Sequence, residues 1–460
     1  MYANAPPGSR REIFALAWPI WISMISVTTK GVVDMVMVGE LGTAAIAGVG
    51  LANVLVFNVL CFAMGVLRSQ KPLVSQYLGA GNKKESFRFG VQGCWLAVIF
   101  ASFCLALALL QDGLFGLIAG HANLTPEALE HGQSYFDTRL AWGGAMLLYL
   151  SVAEYLRGTG STRLPMATDL ISQPLNILFN YALIFGAFGC PKMGVAGAAI
   201  GTGIADLISL VIVLYFARRP GIWSRLRFDW KRFKRVFTVG CAGGIQFTVE
   251  VGSYTLITFF IGYISTVDLA AHTAVINIMH FSFMSAVALA DGGAVLIAKY
   301  VGAKDLVAVQ KTIRGMLGLT IPVMLGGGIL FMVLGEQIMA MYLRGGDPEM
   351  RETGIALGRR LLLVAAVWQL GDAFQIVYRF ALRATGDHKW VMWAGLGCAW
   401  ALSAPMAAIG VFVLNGDVVT VWWLWNVEIY FGAILFLRRW RGGAWRSKRL
   451  VEDDTSTLLS

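Results

Sequence analysis

Apolar residues run through this 460-residue chain in long blocks separated by short polar stretches. A helix that crosses a bilayer needs about 20 predominantly apolar residues. On that criterion the blocks predict twelve spans, at 13–38, 44–76, 87–110, 134–156, 165–187, 194–217, 237–262, 268–298, 309–334, 356–382, 390–414 and 418–437. The second and eighth blocks are longer than a bilayer requires and extend beyond it. The pattern predicts an all-α integral membrane protein.

The polar breaks set the orientation. Arg10 and Arg11 precede the first span, Lys83, Lys84 and Arg88 follow the second, and Arg157 and Arg163 flank the turn after the fourth. The connection Arg218–Arg235 is the most basic segment, and Arg438, Arg439, Arg441, Arg446, Lys448 and Arg449 crowd the end of the chain. With an even number of spans all these lie on one side, whereas Asp112, Glu127, Glu130, Glu336, Asp347, Glu349 and Glu352 fall on the other. The excess of Lys and Arg marks the cytoplasmic side, so both termini are expected there. The basic, Trp-containing connection reads as an interfacial segment on anionic lipid rather than a nucleic-acid patch. Asn123-Leu124-Thr125 matches a glycosylation sequon in a predicted outer loop, a pattern of low specificity.

Composition agrees with the hydrophobic pattern and narrows the function. Hydrophobic residues make up 57% of the chain and charged residues only 14%, against about 25% charged in a soluble domain; mean hydropathy is +0.66. The six cysteines are scattered without a CxxC pair and read as small hydrophobes. HExxH, GxSxG and Walker A patterns are absent and the five histidines are unclustered, so neither an enzyme, an ATP-driven pump nor a metal cofactor is supported.

The chain also repeats itself. A shift of 223 places Gly39 on Gly262, Ala47 on Ala270 and Gln76-Tyr77-Leu78-Gly79-Ala80 on Lys299-Tyr300-Val301-Gly302-Ala303. A shift of 226 places Leu156-Arg157-Gly158-Thr159-Gly160 on Leu382-Arg383-Ala384-Thr385-Gly386. Six spans per half make the repeat parallel. The expected organisation is a leader at 1–12, an N-lobe at 13–217, the basic connection at 218–235, a C-lobe at 236–440 and a cytoplasmic tail at 441–460. Duplicated bundles of this kind are a transporter architecture, and alternating access of the two lobes is the natural mechanism.

Candidate function lies with the residues a bilayer rejects. A carboxylate at the centre of a span costs roughly 2.5–3.5 kcal/mol on insertion scales and marks a functional site by default. Asp34, Glu250 and Asp372 are the deepest by position; Lys30, Arg68, Lys71, Glu154, Asp169, Asp206, Asp291, Arg379 and Glu428 also fall within spans. Glu154, Asp169 and Arg379 lie near span ends, from which a long side chain can reach the interface. A desolvated carboxylate can take a proton near neutral pH or ligate a hard cation, and either event couples an ion to a conformational change. The structural alternative for Asp34 is a pairing with Lys30, one turn earlier. Asn176 and Asn180 share one helix face after Pro174, which suits a cation site or an interhelical hydrogen-bond network.

At these residues the chain resembles the multidrug and toxic compound extrusion (MATE) family, NorM-like branch. The likeness is carried by Val33-Asp34-Met35-Val36-Met37-Val38-Gly39, Lys71-Pro72-Leu73-Val74-Ser75-Gln76-Tyr77-Leu78-Gly79-Ala80-Gly81, Leu156-Arg157-Gly158-Thr159-Gly160, Pro174-Leu175-Asn176 with Asn180-Tyr181, and Gly194-Val195-Ala196-Gly197-Ala198-Ala199 with Thr202. In the second half it continues through Gln246-Phe247-Thr248-Val249-Glu250 and Gly371-Asp372-Ala373-Phe374-Gln375. The resemblance implies two six-helix lobes and export of drugs or metabolites in exchange for Na+ or H+. It assigns Asp34, Asn176, Asn180 and Thr202 to an N-lobe cation site, Glu250 and Asp372 to a C-lobe site, and a helix bend to Pro19. The implied partners are a small-molecule substrate and membrane lipid, with the protein a monomer.

The chain departs from that pattern at Lys30, Arg68 and Lys71, where the family carries neutral residues, and at Ala242, where proline is frequent. The 223 shift sets Arg68 opposite Asp291, so a charge pair between lobes is conceivable. Cations in the cavity argue for an anionic or zwitterionic substrate as an alternative, as in a flippase or exporter of anionic or lipid-linked metabolites. A non-transport membrane protein is the reading from a different class.

Overall fold

A computed structural model describes residues 5–109, 115–116, 125–217, 226–343 and 348–451, the side chains of 348–350 excepted. The Asn123 sequon, Asp112, Asp347, the first part of the basic connection and the end of the tail lie outside the described residues.

Every regular element among the described residues is helical. In chain order they are α1 Arg10–Gly39, α2 Thr43–Arg68, α3 Gln70–Gly79, α4 Lys83–Leu109, α5 Pro126–Gly158, α6 Arg163–Phe185, α7 Gly194–Ala217, α8 Trp230–Gly262, α9 Thr266–Gly302, α10 Leu306–Tyr342, α11 Pro348–Thr385, α12 His388–Leu396, α13 Ala404–Ala408 and α14 Val418–Arg441. The helices α2 and α3 run on as one segment to Gly79, and α12 and α13 are joined by a π-helical stretch at Gly397–Ser403 with another at Ile409–Val413. Ten of these segments are long and apolar enough to cross a membrane. Their lengths exceed the predicted spans because polar turns continue the helices past the apolar blocks. Segments α5 and α6 are the less apolar pair, and they carry Glu154, Arg157 and Asp169.

Local chemistry explains where helices start. Thr125 accepts a hydrogen bond from the Ala128 N–H with Pro126 in the first turn, and Ser265, Asp305 and Asp417 likewise cap α9, α10 and α14. The duplication is visible in where they stop: α1 and α8 end on Gly39 and Gly262, and α3 and α9 on Gly79 and Gly302. Pro19 sits inside α1, which is helical on both sides of it.

The chain divides into two compact units. One comprises residues 22–78 and 82–245; the other comprises 1–21, 79–81 and 246–460. The first turns of α1 thus belong with the second-half helices, where Ile13 and Leu16 are buried in a core with Ala290, Val309, Ile313 and Met316. Glu12 is buried beside them and accepts hydrogen bonds from the Tyr300 hydroxyl at 2.8 Å and the Gly8 N–H at 2.8 Å. The described end of the basic connection has no regular structure at 226–229, enters α8 at Trp230 and is tied down. Gln92 donates to the Arg227 carbonyl and accepts from the Asp229 N–H, and Arg232 binds both carboxylate oxygens of Glu85 at 2.7 and 2.9 Å.

Within a bilayer, helices associate through close packing over small residues rather than through apolar burial. Gly48 of α2 shows the constraint: a Cβ there would lie 2.1 Å from the Ala128 carbonyl oxygen of α5. Overpacking a tight core costs roughly 1–3 kcal/mol. Gly48→Val is therefore expected to lower the thermal unfolding midpoint of detergent-purified protein, whereas the same change at Gly50, whose Cβ meets nothing within 4 Å, leaves it unchanged. Equal midpoints would show that α2 and α5 do not meet at Gly48.

Candidate functional site

The first unit builds its site from three helices. Asn176 and Asn180 lie one turn apart on α6, Thr202 comes from α7, and Asp34 from α1. The Asn180 amide donates to Asp34 Oδ1 at 2.6 Å, and the Thr202 hydroxyl lies 3.1 Å from Asp34 Oδ2. The Asn176 amide donates to the Thr202 oxygen at 3.1 Å. The four residues assigned to an N-lobe site thus meet. Asn176 and Asn180 are fully buried, and the amide oxygen of each has no hydrogen-bond partner. Gly201 makes this possible, since a Cβ there would lie 2.3 Å from Asn180 Oδ1. One carboxylate, a hydroxyl and two orphaned amide oxygens are the hard donors that suit a proton or Na+.

Lys30 does not pair with Asp34. Its ammonium bonds Asp206 Oδ1 of α7 at 2.8 Å, and Arg139 of α5 approaches Asp206 Oδ2 at 3.3 Å. The one-turn spacing suggested an Asp34–Lys30 pair; a second carboxylate on α7, not visible as a neighbour in the sequence, takes the ammonium instead. Lys30 and Arg139 still act electrostatically on Asp34, as does Asp206. Asp206 and Arg139 are the residues that sequence reasoning left out of this site. Asp206 had announced itself as an in-span charge, whereas Arg139 stands at the edge of an apolar block.

A second ionic network lies in the same unit. Lys71 binds Glu154 at 2.8 Å, Arg157 binds the other Glu154 oxygen at 2.9 Å and lies 3.8 Å from Asp169, and Tyr149 donates to Asp169 at 2.5 Å. The charge of Arg68, exposed at the end of α2, also acts on Glu154. Glu154 and Asp169 do not reach for the interface as their position near span ends suggested; they are 2% and 7% exposed, because cations from neighbouring turns and helices make burial tolerable.

The second unit holds the Glu250 and Asp372 pair in a larger cluster. Glu250 Oε1 accepts from Gln246 of its own helix at 2.8 Å and from Arg379 of α11 at 2.9 Å. Arg383 donates to Gln246 at 2.6 Å. Asp372 and Glu428 are buried around the same guanidinium, and Gln375 donates to Glu428 at 3.2 Å. Arg379 is therefore held inside the bundle by carboxylates and does not extend to a span end. Asp291 lies buried on α9 of this unit, and Arg68 belongs to the other.

Two segments of the chain, 19–182 and 244–409, match the MatE family model, one in each half and close to the register of the internal repeat. The chain belongs to the MatE family. It is accordingly a multi-pass membrane transporter and not a member of an enzyme family. It is 28% identical to the probable multidrug resistance protein NorM of Pseudomonas putida over 97% of this chain and 96% of that one. It is 30% identical to the NorM protein of Chromobacterium violaceum over 81% and 80%. The fold matches, with a TM-score of 0.84 at 16% identity over 97% and 98% of the two chains, a MOP-superfamily transporter from Pyrococcus furiosus described as having a binding pocket of reverse polarity that suggests a different function.

Removing one partner of a buried ion pair costs about 3–5 kcal/mol, since the survivor is left uncompensated. For the MatE protein, Glu154→Gln strands Lys71 and Arg157 and is expected to lower the thermal midpoint more than Lys71→Met combined with Glu154→Gln. Were the double variant the less stable, the network would be contributing net attraction rather than mutual neutralisation.

Proposed function

We propose that the protein is a secondary antiporter that exports a drug or metabolite in exchange for H+ or Na+, by alternating access of its two lobes. The observation that carries the proposal is the Asp34 carboxylate, hydrogen-bonded by Asn180 and Thr202 beside two buried amide oxygens that lack partners. Binding of a cation or proton there removes a buried negative charge, and a change of that size can bias a two-state equilibrium. Glu250 and Asp372 would do the same in the second unit. The names and sources of the NorM relatives support multidrug export in a bacterial inner membrane, and the placement of Lys and Arg supports both termini in the cytoplasm.

A second reading concerns the substrate. Lys30 and Arg139 converge on Asp206, and Lys71 and Arg157 on Glu154 and Asp169, so these cations are matched by carboxylates, and protonation of Asp34 would leave the group around it with a net positive charge. This favours an anionic or zwitterionic cargo.

Flux in proteoliposomes separates these possibilities. Ethidium and carboxyfluorescein serve as cationic and anionic probes, each tested under a pH gradient and under a Na+ gradient alone. The proposal expects gradient-driven flux of at least one probe, reduced to background by Asp34→Asn in a protein that still purifies as a monodisperse species. Flux unaltered by Asp34→Asn would make Asp34 structural, and flux indifferent to both gradients would dispose of the antiporter.

Lys30 has its own test. Removing a cation near a carboxylate favours the protonated form. Lys30→Ala is expected to move the pH profile of flux toward alkaline pH, with Asp206 kept neutralised by Arg139. An unmoved profile would sever Lys30 from the Asp34 site.

A further inference from the structure

Around Arg379 in the second unit three carboxylates act on one guanidinium, and one of them, Glu428, is a residue that the family resemblance does not assign. Glu428 lies on α14, its residue 5% exposed, and Asp372 lies on α11, 6% exposed. Close packing brings them to one guanidinium. A Cβ on Gly371 would touch the Ile429 side chain at 3.0 Å, and one on Gly432 would fall 2.0 Å from Gln375 Nε2. These two glycines let α11 and α14 approach where Asp372, Gln375 and Glu428 sit.

Every element around Glu428 can be named. From α11 the Gln375 amide donates to it at 3.2 Å, and Ser403 and the Cys398 thiol of the π-helical stretch after α12 hydrogen-bond with it; the charges of Arg379 and Asp372 on α11 and of Glu250 on α8 act on the same cluster. Arg379 is the cation that faces these three carboxylates, and its direct bond at 2.9 Å goes to Glu250. Arg383, one turn further on, is turned to the Gln246 carbonyl oxygen. Among the described residues no three His, Cys, Asp or Glu side chains are grouped to hold a metal ion. One guanidinium already bonded to Glu250 cannot neutralise two further buried carboxylates. Like charges sharing a buried site force one of them to stay protonated.

We infer that Asp372 and Glu428 form a proton-sharing pair and that Glu428 is an additional proton carrier of the second unit. Gln375 fixes one Glu428 oxygen by donating to it, which leaves the other to hold the proton. As the pair loses its proton, a second negative charge appears between α11 and α14, beside the π-helical stretch. Such stretches are frequent at functional sites. The transport role of Glu428 rests on the antiporter reading; proton sharing itself does not.

Infrared titration of the full-length protein in liposomes tests the sharing without any substrate. Wild type is expected to show the carbonyl band of a protonated carboxylic acid near neutral pH, lost in a step as pH rises. Two groups coupled in this way titrate as a pair. Removing one carboxyl relieves the repulsion, so in Glu428→Gln the step moves toward acid by about one pH unit or more. Asp372→Asn reports the same displacement from the other side if Glu428→Gln fails to fold, and Glu428→Asp restores the wild-type step. A step unmoved by both amide variants, or no band in wild type, overturns the inference and leaves Glu428 as a hydrogen-bond partner of Gln375. Gradient-driven flux adds the transport arm. Expected is a displaced pH profile in Glu428→Gln, and a wild-type profile would overturn the carrier role. Wild-type flux indifferent to a pH gradient would overturn that role through the antiporter reading, while the infrared step decides the sharing on its own.

Discussion

An ionised side chain inside a bundle of apolar helices is tolerated only when another helix holds it, and this constraint organises both units. Water cannot solvate such a group, so its partners must come from the protein and in the right number. The first unit meets the condition with two cations on Asp206 and two on Glu154. Asp34 is the exception, since its direct partners are the neutral Asn180 and Thr202. A carboxylate so placed is the one whose charge state is free to change.

The same logic separates structural from functional charge more sharply than depth in the span does. Glu154 and Asp169 are as buried as Asp372, yet Lys71, Arg157 and Tyr149 occupy them fully. Asp372 and Glu428 must share Arg379 with Glu250. What distinguishes a coupling residue is therefore the balance of its neighbours. Each half also draws its last helix into the site: α7 supplies Thr202 and Asp206, and α14 supplies Glu428.

Much of this architecture was legible along the chain, and the reason is physical. Hydropathy over about 20 residues registers a span directly, so the helices and their duplication could be read, down to the shared stops at Gly39 and Gly262. Asp34, Glu250 and Asp372 stood out because a bilayer rejects them. Partner choice was not legible. Whether Lys30 meets Asp34 or Asp206 depends on the rotation of α1 against α7, which no spacing within α1 encodes. The MATE resemblance named Asn176, Asn180 and Thr202 as companions of Asp34, and the structure brings them together; it had nothing to say about Arg139, Arg379 or Glu428.

These three residues give the two units different electrical characters. Around Asp34, carboxylates and cations are equal in number, two of each, so taking up a proton leaves the cluster net positive. Around Arg379, three carboxylates meet one guanidinium, so a proton there brings the cluster toward neutrality. The same ion therefore starts from a balanced group in one half of the duplicated chain and from a net negative one in the other. A substrate carrying negative charge would be favoured near Asp34 by protonation, and one carrying positive charge would be released near Glu428 by it. Duplication supplied two copies of one bundle, and the cations carried on α1, α5 and α11 make the copies unequal; on the antiporter reading, that inequality is what lets ion and cargo influence each other rather than bind independently.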